Sequence, residues 1–479
     1  MLNTLRTAFL ALAACAFAAP AVAAPASADA IPAHPRELKF EPLQFERPRP
    51  QRHVLKNGMV VYLFEDHDLP IVTGIAKIRT GRIHDPEEKI GLAELTGTVL
   101  RTGGAGERSG DEINAILERL GASIESDIAT QEGNVALWSQ SKDLDQVLAL
   151  LADILRRPRF AEDKIELKKQ AMAEDVRRMN DQPGDVVERE FKRLVYASSL
   201  AWARVPSLKT VAALSREDAA KFYEQFYHPN QIIAGFAGDF DSRKLLARLE
   251  DLFGDWPRKE IELPKLPPVA EVTEPSVNYI FKDIPQSYIV LGHTGMRRHD
   301  PQRYAAAIMN HILGAGGFTS RLTAEVRSNR GLAYSVGAYL GEDTDRGTFQ
   351  ADVQTKAQST WEAIGLITDI VARMATDPIT DEEMERAKSS IINRFVFRFD
   401  TPQDVVREQV YLEYYGFTED YLDHYIERIS AVTKEDVRRV AKTYLHPDRT
   451  IIVVVGNERL FDKAPEGRGK PRQISLEIQ

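Results

Sequence analysis

The 479 residues include ten histidines, at positions 34, 53, 67, 84, 228, 293, 299, 311, 424 and 446, and a single cysteine, Cys15. Two imidazoles on one helix converge on a metal ion when they stand four residues apart, and no two of these do. A helix-borne pair of histidine ligands is therefore excluded. One cysteine likewise excludes a four-thiolate zinc site and an intrachain disulfide. Nucleophilic chemistry lacks its parts too, because no Gly-x-Ser-x-Gly turn exposes a serine. Nothing favours the paired carboxylates of a glycosidase. The glycine-rich run Leu313-Gly314-Ala315-Gly316-Gly317 lacks the Gly-Lys-Ser/Thr ending that a phosphate-cradling loop needs. It reads instead as a turn whose backbone, at Gly316 and Gly317, comes close to a substrate or to another part of the fold.

Composition narrows the class further. With 62 Lys plus Arg against 71 Asp plus Glu, the net charge is −9 and both signs are interspersed, so no concentrated basic face exists to displace counterions from nucleic acid. Met1 to Ala23 carries one charge, Arg6, then an apolar run and the small-residue site Ala21-Val22-Ala23, the order of a secretory signal peptide. The expectation is an exported, periplasmic protein without a transmembrane segment, since no later apolar stretch reaches the roughly 18 residues a span needs. Leu12-Ala13-Ala14-Cys15 also resembles a bacterial lipobox, which would make Cys15 a lipidated first residue.

The elements that must position any site emerge from periodicity. Residues 24–52 hold six prolines and little apolar period, an extended lead-in. Asn57-Gly58 between Val54-Leu55 and Met59 to Leu63 predicts a hairpin, and a strand comes next from Ile71 to Arg79. A helix begins after Gly91 with Leu92, Leu95, Val99 and Leu100. A second runs from the N-cap Ser109 to Gly121 at the C′ position. A strand near Val135–Trp138, a helix over 144–156 and a long charged helix over 162–179 complete this stretch.

Five prolines within residues 257–275 mark a linker, and the chain beyond the linker repeats the chain before it. Ser215, His228 and Gly238 answer Thr433, His446 and Gly456 at a constant offset of 218 residues; Pro158 answers Pro378 at 220 and Gly133 answers Gly347 at 214. The chain therefore reads as a tandem duplication of an α/β unit of roughly 200 residues, an α+β fold with helices covering mostly antiparallel sheets and two halves forming a clamp. The halves span 53–256 and 276–460, with a tail over 461–479.

The stretch from Gly81 to Thr98, with Asp85-Pro86 and Gly91-Leu92-Ala93-Glu94-Leu95-Thr96-Gly97-Thr98, resembles the pitrilysin and insulinase family of zinc peptidases, which includes the mitochondrial processing peptidases. Their signature His-x-x-Glu-His comes after a Gly-Leu-Ala lead. In register, Glu94 stands at the first His, Gly97 at the catalytic Glu and Thr98 at the second His, while Glu174 fits the downstream Glu ligand. The resemblance thus implies a zinc site reduced to one carboxylate, with no metal bound by this chain.

The duplication, the His-Pro elements and the segment 313–322 extend the likeness over residues 50–460. In the second half, Arg327 and Tyr334 match the family's Arg/Tyr element seven residues apart. Arg330, four residues from Tyr334, competes for the Arg role. By resemblance this pair reaches a zinc site across a chamber and contacts the substrate carbonyl, where a guanidinium and a phenol oppose the charge of the tetrahedral intermediate.

These likenesses imply a non-catalytic subunit of a periplasmic heterodimeric zinc metallopeptidase. Inactive alone, it would bind peptide and lend Arg327 and Tyr334 to a homologous partner that holds the zinc. The alternative is a non-enzymatic pseudo-peptidase that binds or scaffolds extended polypeptides in the cell envelope. A third reading, an active zinc enzyme with unrecognised ligands, requires about one zinc per chain.

Overall fold

The computed structural model describes residues 45–197, 201–464 and 471–476. The expected export signal over Met1–Ala23, with Cys15, and the lead-in as far as residue 44 lie outside the described residues.

Alternating burial along the strands builds two six-stranded sheets. The first contains β1 (Gln51–Val54), β2 (Val60–Glu65), β3 (Ile71–Ile78), β4 (Ser123–Ile128), β5 (Gly133–Gln140) and β6 (Ile232–Gly238), in the spatial order β1-β2-β6-β3-β5-β4. In the second half β7 (Ser276–Phe281) and β8 (Gln286–Thr294) precede the short β9 (Met296–Arg297). Then come β10 (Ala333–Leu340), the short β11 (Glu342–Asp343), β12 (Thr348–Lys356), β13 (Ile451–Gly456) and β14 (Arg472–Gln473). Their order is β14-β7-β13-β8-β12-β10, and β9 pairs separately with β11.

The duplication is visible strand by strand. In both halves a late strand enters between two early ones, parallel to the first of them (β6 to β2, β13 to β7) and antiparallel to the second (β6 to β3, β13 to β8). The outermost positions differ. β1 lies antiparallel to β2, whereas the equivalent place beside β7 is taken in parallel by β14.

The local signals act as their chemistry requires. Asn57-Gly58 turns the β1–β2 hairpin, with Gly58 at φ +90°. Ser109 and Glu112 form a reciprocal capping box, and Gly121 ends that helix in the left-handed region at φ +58°. β1 begins at Gln51, inside the stretch read as lead-in. The segment 257–275 carries no helix or strand. β14 falls in the expected tail, where Ile474 and Leu476 pack over the apolar side of the second sheet and Ile474 N–H donates to Tyr279 O at 2.9 Å.

The halves are joined by an exchange of helices. Helix Pro183–Tyr196 of the first half lies on β13 and β8 of the second, burying Val186, Val187, Phe191 and Val195 against Ile280, Val290, Val453 and Val455. Helix Pro402–Tyr414 of the second half returns to β6, β2 and β3 of the first, where Val406, Val410 and Tyr414 meet Tyr62, Ile233 and Ala237. Each fully buried aliphatic or aromatic side chain contributes about 1.5–3 kcal/mol, so this double exchange fastens the halves. The central strands β6 and β13 are consequently buried on both faces along their whole length. Gly235 on β6 admits the returning helix, because a Cβ there would overlap Val406 Cγ1 and lie 2.9 Å from Val410 Cγ2.

Candidate functional site

The two groups of residues singled out by the sequence occupy different halves. Among the described residues no hydrogen bond or ion pair joins them.

The degenerate motif lies on helix Leu92–Thr102, whose N-terminus is held by Asp85. Its carboxylate accepts Gly91 N–H and Ala93 N–H, both at 2.8 Å, which satisfies two of the donors a helix start leaves unpaired. Burial nonetheless pushes the Asp85 carboxyl up to about 7 against the pull of those two donors. Glu94, in the first histidine's place, receives Lys168 Nζ at 2.8 Å from the neighbouring helix Glu162–Arg178. An ion-pair partner thus already serves this carboxylate. Thr98 Oγ1 turns back to donate to Glu94 O at 3.1 Å. Glu174 is exposed and faces Arg177 at 3.5 Å, with no bond to Glu94.

Gly97 carries the sharpest difference from a catalytic helix. It is buried against β4: a Cβ would stand 2.5 Å from Ile128 N and 2.7 Å from Asp127 C, and Ser126 Oγ donates to Gly97 O at 2.6 Å. The strand occupies the space into which a glutamate at this position would extend. Among the described residues no three His, Cys, Asp or Glu side chains are grouped to hold a metal ion.

The second group is assembled. After helix Arg303–Asn310 the backbone widens into a π-helical turn over His311–Ala315, bends at Gly316 and Gly317, and re-enters a π-helical stretch over Thr323–Asn329. Gly314 lies flush on Ala338 of β10, and Gly317 adopts φ +62°. Arg330 N–H reaches Glu325 O at 3.1 Å, and Gly331, at φ +62°, releases the chain into β10. Such widened turns recur at functional positions.

The result brings Arg327 over Tyr334, the guanidinium carbon 4.7 Å from the ring centroid. The same guanidinium carbon lies 4.6 Å from the ring of Phe318, a residue of the glycine-rich bend. Tyr334 is 82% exposed and Phe318 67% exposed, and Tyr334 lies on β10, which among the described residues has a strand neighbour on one side only. Arg330 turns instead toward Glu325, its Nε donating to Glu325 Oε1 at 3.1 Å. Gly316 and Gly317 thus lie beside the pair, joined to it through Phe318.

Sequence reasoning missed Phe318 and Lys168. Phe318 stands directly after the two glycines, and Lys168 precedes Glu174 on the same helix, so both stood within motifs already singled out.

This architecture, with a peptidase-type motif helix in one half and an Arg/Tyr element in the other, is that of a duplicated metallopeptidase-like protein. Residues 60–201 match the model described as "Insulinase (Peptidase family M16)" and residues 213–391 match "Peptidase M16 inactive domain". The chain belongs to the M16, or pitrilysin and insulinase, family. It is 26% identical over 350 residues to an uncharacterized zinc protease of Streptomyces coelicolor, covering 71% of this chain and 76% of the relative. To the uncharacterized zinc protease YmxG of Bacillus subtilis it is 23% identical over 411 residues, covering 84% and 98%.

In fold it is similar to the peptidase M16 inactive domain from Pseudomonas fluorescens, with TM-score 0.78, 24% identity and coverage of 85% of this chain and 98% of that one. It is also similar to the periplasmic protease PqqL from Escherichia coli, with TM-score 0.73 and 15% identity, covering 90% of this chain and 49% of PqqL.

Proposed function

We propose that this chain is the zinc-free subunit of a periplasmic heterodimeric M16 peptidase and lends Arg327 and Tyr334 to the active site of a zinc-bearing partner. The observation that carries this reading is the half-exposed Arg327 guanidinium set over the exposed Tyr334 ring on an edge strand, in a chain whose motif helix bears no histidine. The zinc would be held by the partner's motif, where the chemistry it supplies would be activation of a water molecule toward the scissile carbonyl. Tyr334 O–H and the Arg327 guanidinium meet the negative charge that develops on the carbonyl oxygen. Contact with the Phe318 and Tyr334 rings limits the motion of Arg327 before substrate arrives, so less ordering remains for the transition state. The match to about half of PqqL supports an assembly of two such chain lengths.

A peptidase assay of the mature chain, of a homologue carrying the intact zinc motif, and of both together tests the reading. Activity in the mixture alone is the expected result. A zinc-bearing homologue that is fully active alone and unaffected by this chain refutes it and leaves the non-enzymatic, polypeptide-binding role.

A further inference from the structure

The Pro-rich segment between the halves is a pinned strap. Asn230 holds one end by a reciprocal pair, Nδ2–H to Lys259 O at 3.0 Å and Lys259 N–H to Oδ1 at 3.1 Å. At the other end Val269 N–H donates to Asp345, and the Val269 side chain is buried with Tyr196 and Ala203. Between these points Leu263, Pro264, Leu266, Pro267 and Pro268 roof a cavity of about 500 Å3 walled by both halves. Three of the five roofing residues are prolines and offer no N–H, so the roof is apolar.

The walls are cationic and rich in donors. Arg79 and Arg298 both line the cavity. Arg298 lies 3.6 Å over the Tyr415 ring and 3.5 Å from Asp343. Arg79 donates to Tyr414 O at 3.2 Å and has no carboxylate within ion-pair reach among the described residues. The acid at the rim is already engaged, because Asp345 accepts Val269 N–H and Arg297 Nη2.

Three further polar atoms in the wall have no protein partner: Thr80 Oγ1, His84 Nδ1 and Trp202 Nε1. Thr80 is only 1% exposed. His84 is stacked on Phe226, and burial holds its imidazole down to about 4, so it offers a neutral hydrogen-bonding edge without adding charge. Leaving a buried donor or acceptor unsatisfied is unfavourable, and three around one cavity mark a wall shaped for a polar guest.

We infer that this seam cavity binds an organic carboxylate carried on an apolar stem. Arg79 meets the charge, with Trp202 Nε1–H and the Thr80 hydroxyl as neutral donors, and the stem lies under the Leu/Pro roof. The volume falls in the range of small-molecule sites. The same chemistry is offered by a free aliphatic acid and by the C-terminal residue of a peptide. The site is independent of the Arg327–Tyr334 pair.

Calorimetric titration of the mature chain with octanoate against octanamide, and with N-acetyl-Gly-Leu against its C-terminal amide, tests the inference and separates the two sources. One acid is expected to bind at least about tenfold tighter than its neutral amide, and Arg79→Gln to erase that preference. Because Arg79 also supports Tyr414, the near-isosteric Thr80→Val and Trp202→Phe provide a second measurement, each weakening the acid by about threefold or more. Equal binding of acid and amide, no saturation of either acid up to about 10 mM, or unchanged acid affinity in both Thr80→Val and Trp202→Phe overturns the inference and leaves a hydrated seam.

Discussion

A Cβ placed on Gly97 would stand 2.5 Å from the backbone nitrogen of Ile128. The motif helix and the edge strand β4 are therefore in backbone contact at Gly97, the position that the sequence resemblance sets in register with a catalytic Glu. The departure from the His-x-x-Glu-His pattern thus coincides with close helix–strand packing as well as with different side chains.

Restoring the motif by substitution is accordingly expected to fail. Glu94→His, Gly97→Glu and Thr98→His together should leave zinc far below one per chain by elemental analysis. The new glutamate must displace β4, and Glu94→His removes the acceptor of Lys168. Gly97→Ala alone should cost about 1–3 kcal/mol in urea denaturation through overpacking. Stoichiometric zinc in the triple variant, with unchanged stability, would show that β4 yields freely.

The exposed pair calls for the opposite signature. Tyr334→Phe removes one hydroxyl from a side chain that is 82% exposed, so the denaturation midpoint of the chain should not move. In the reconstituted complex kcat should fall by about 100-fold, the scale of losing one oxyanion donor. Arg327→Lys should also lower kcat, because a compact ammonium loses the guanidinium's contact with the Phe318 and Tyr334 rings. Unaltered kcat in both variants would remove the pair from the reaction.

How far the sequence carried this picture depends on the range of each interaction. Asn57-Gly58, the Ser109 capping box and Gly121 act within a few residues, and each was legible. The repeat was legible because His228-Pro229 and His446-Pro447 keep a constant offset. The helix exchange was not, since Val406 meets Gly235 from 171 residues away and no local period names a distant partner. The non-alternating runs Ile232–Ala237 and Ile451–Val455 did carry half of that message, because only a strand covered on both faces reads so uniformly apolar. The Arg327–Tyr334 spacing was readable by resemblance, whereas Phe318 became part of the site only once the π-helical turns folded the bend over the guanidinium.

The exchange predicts how the halves unfold. Gly235→Ala drives a methyl group into Val406 on the returning helix and should cost about 1–3 kcal/mol. Phe191→Ala, on the outgoing helix, should cost about 3–5 kcal/mol. Because each half's sheet is covered by the other's helix, both variants should shift one shared transition. Calorimetry that resolves two transitions, only one of them moved, would contradict the coupling.

Two buried groups give the stability opposite pH slopes. His293 is 1% exposed; its Nδ1 pairs with Thr294 O at 2.8 Å while Nε2 accepts His446 N–H at 3.0 Å, an arrangement that fits the neutral ring. Burial, foremost, holds it down to about 4 from the ordinary 6.5. The unfolded chain therefore binds the proton more readily, and the stability contributed by neutral His293 is complete above pH 6.5 and lost as pH falls toward 4. The loss by pH 5 amounts to about 2 kcal/mol. Asp85 runs the other way: with its folded value pushed up to about 7 from 3.8, the folded chain holds the proton more firmly, and stability rises as pH falls from 7 toward 4. Wild type should thus show a shallow profile in urea denaturation between pH 7.5 and 5. His293→Gln should make acidification more favourable to the fold than in wild type, and Asp85→Asn less favourable. Parallel profiles for all three proteins would show that neither group changes its affinity for protons on folding.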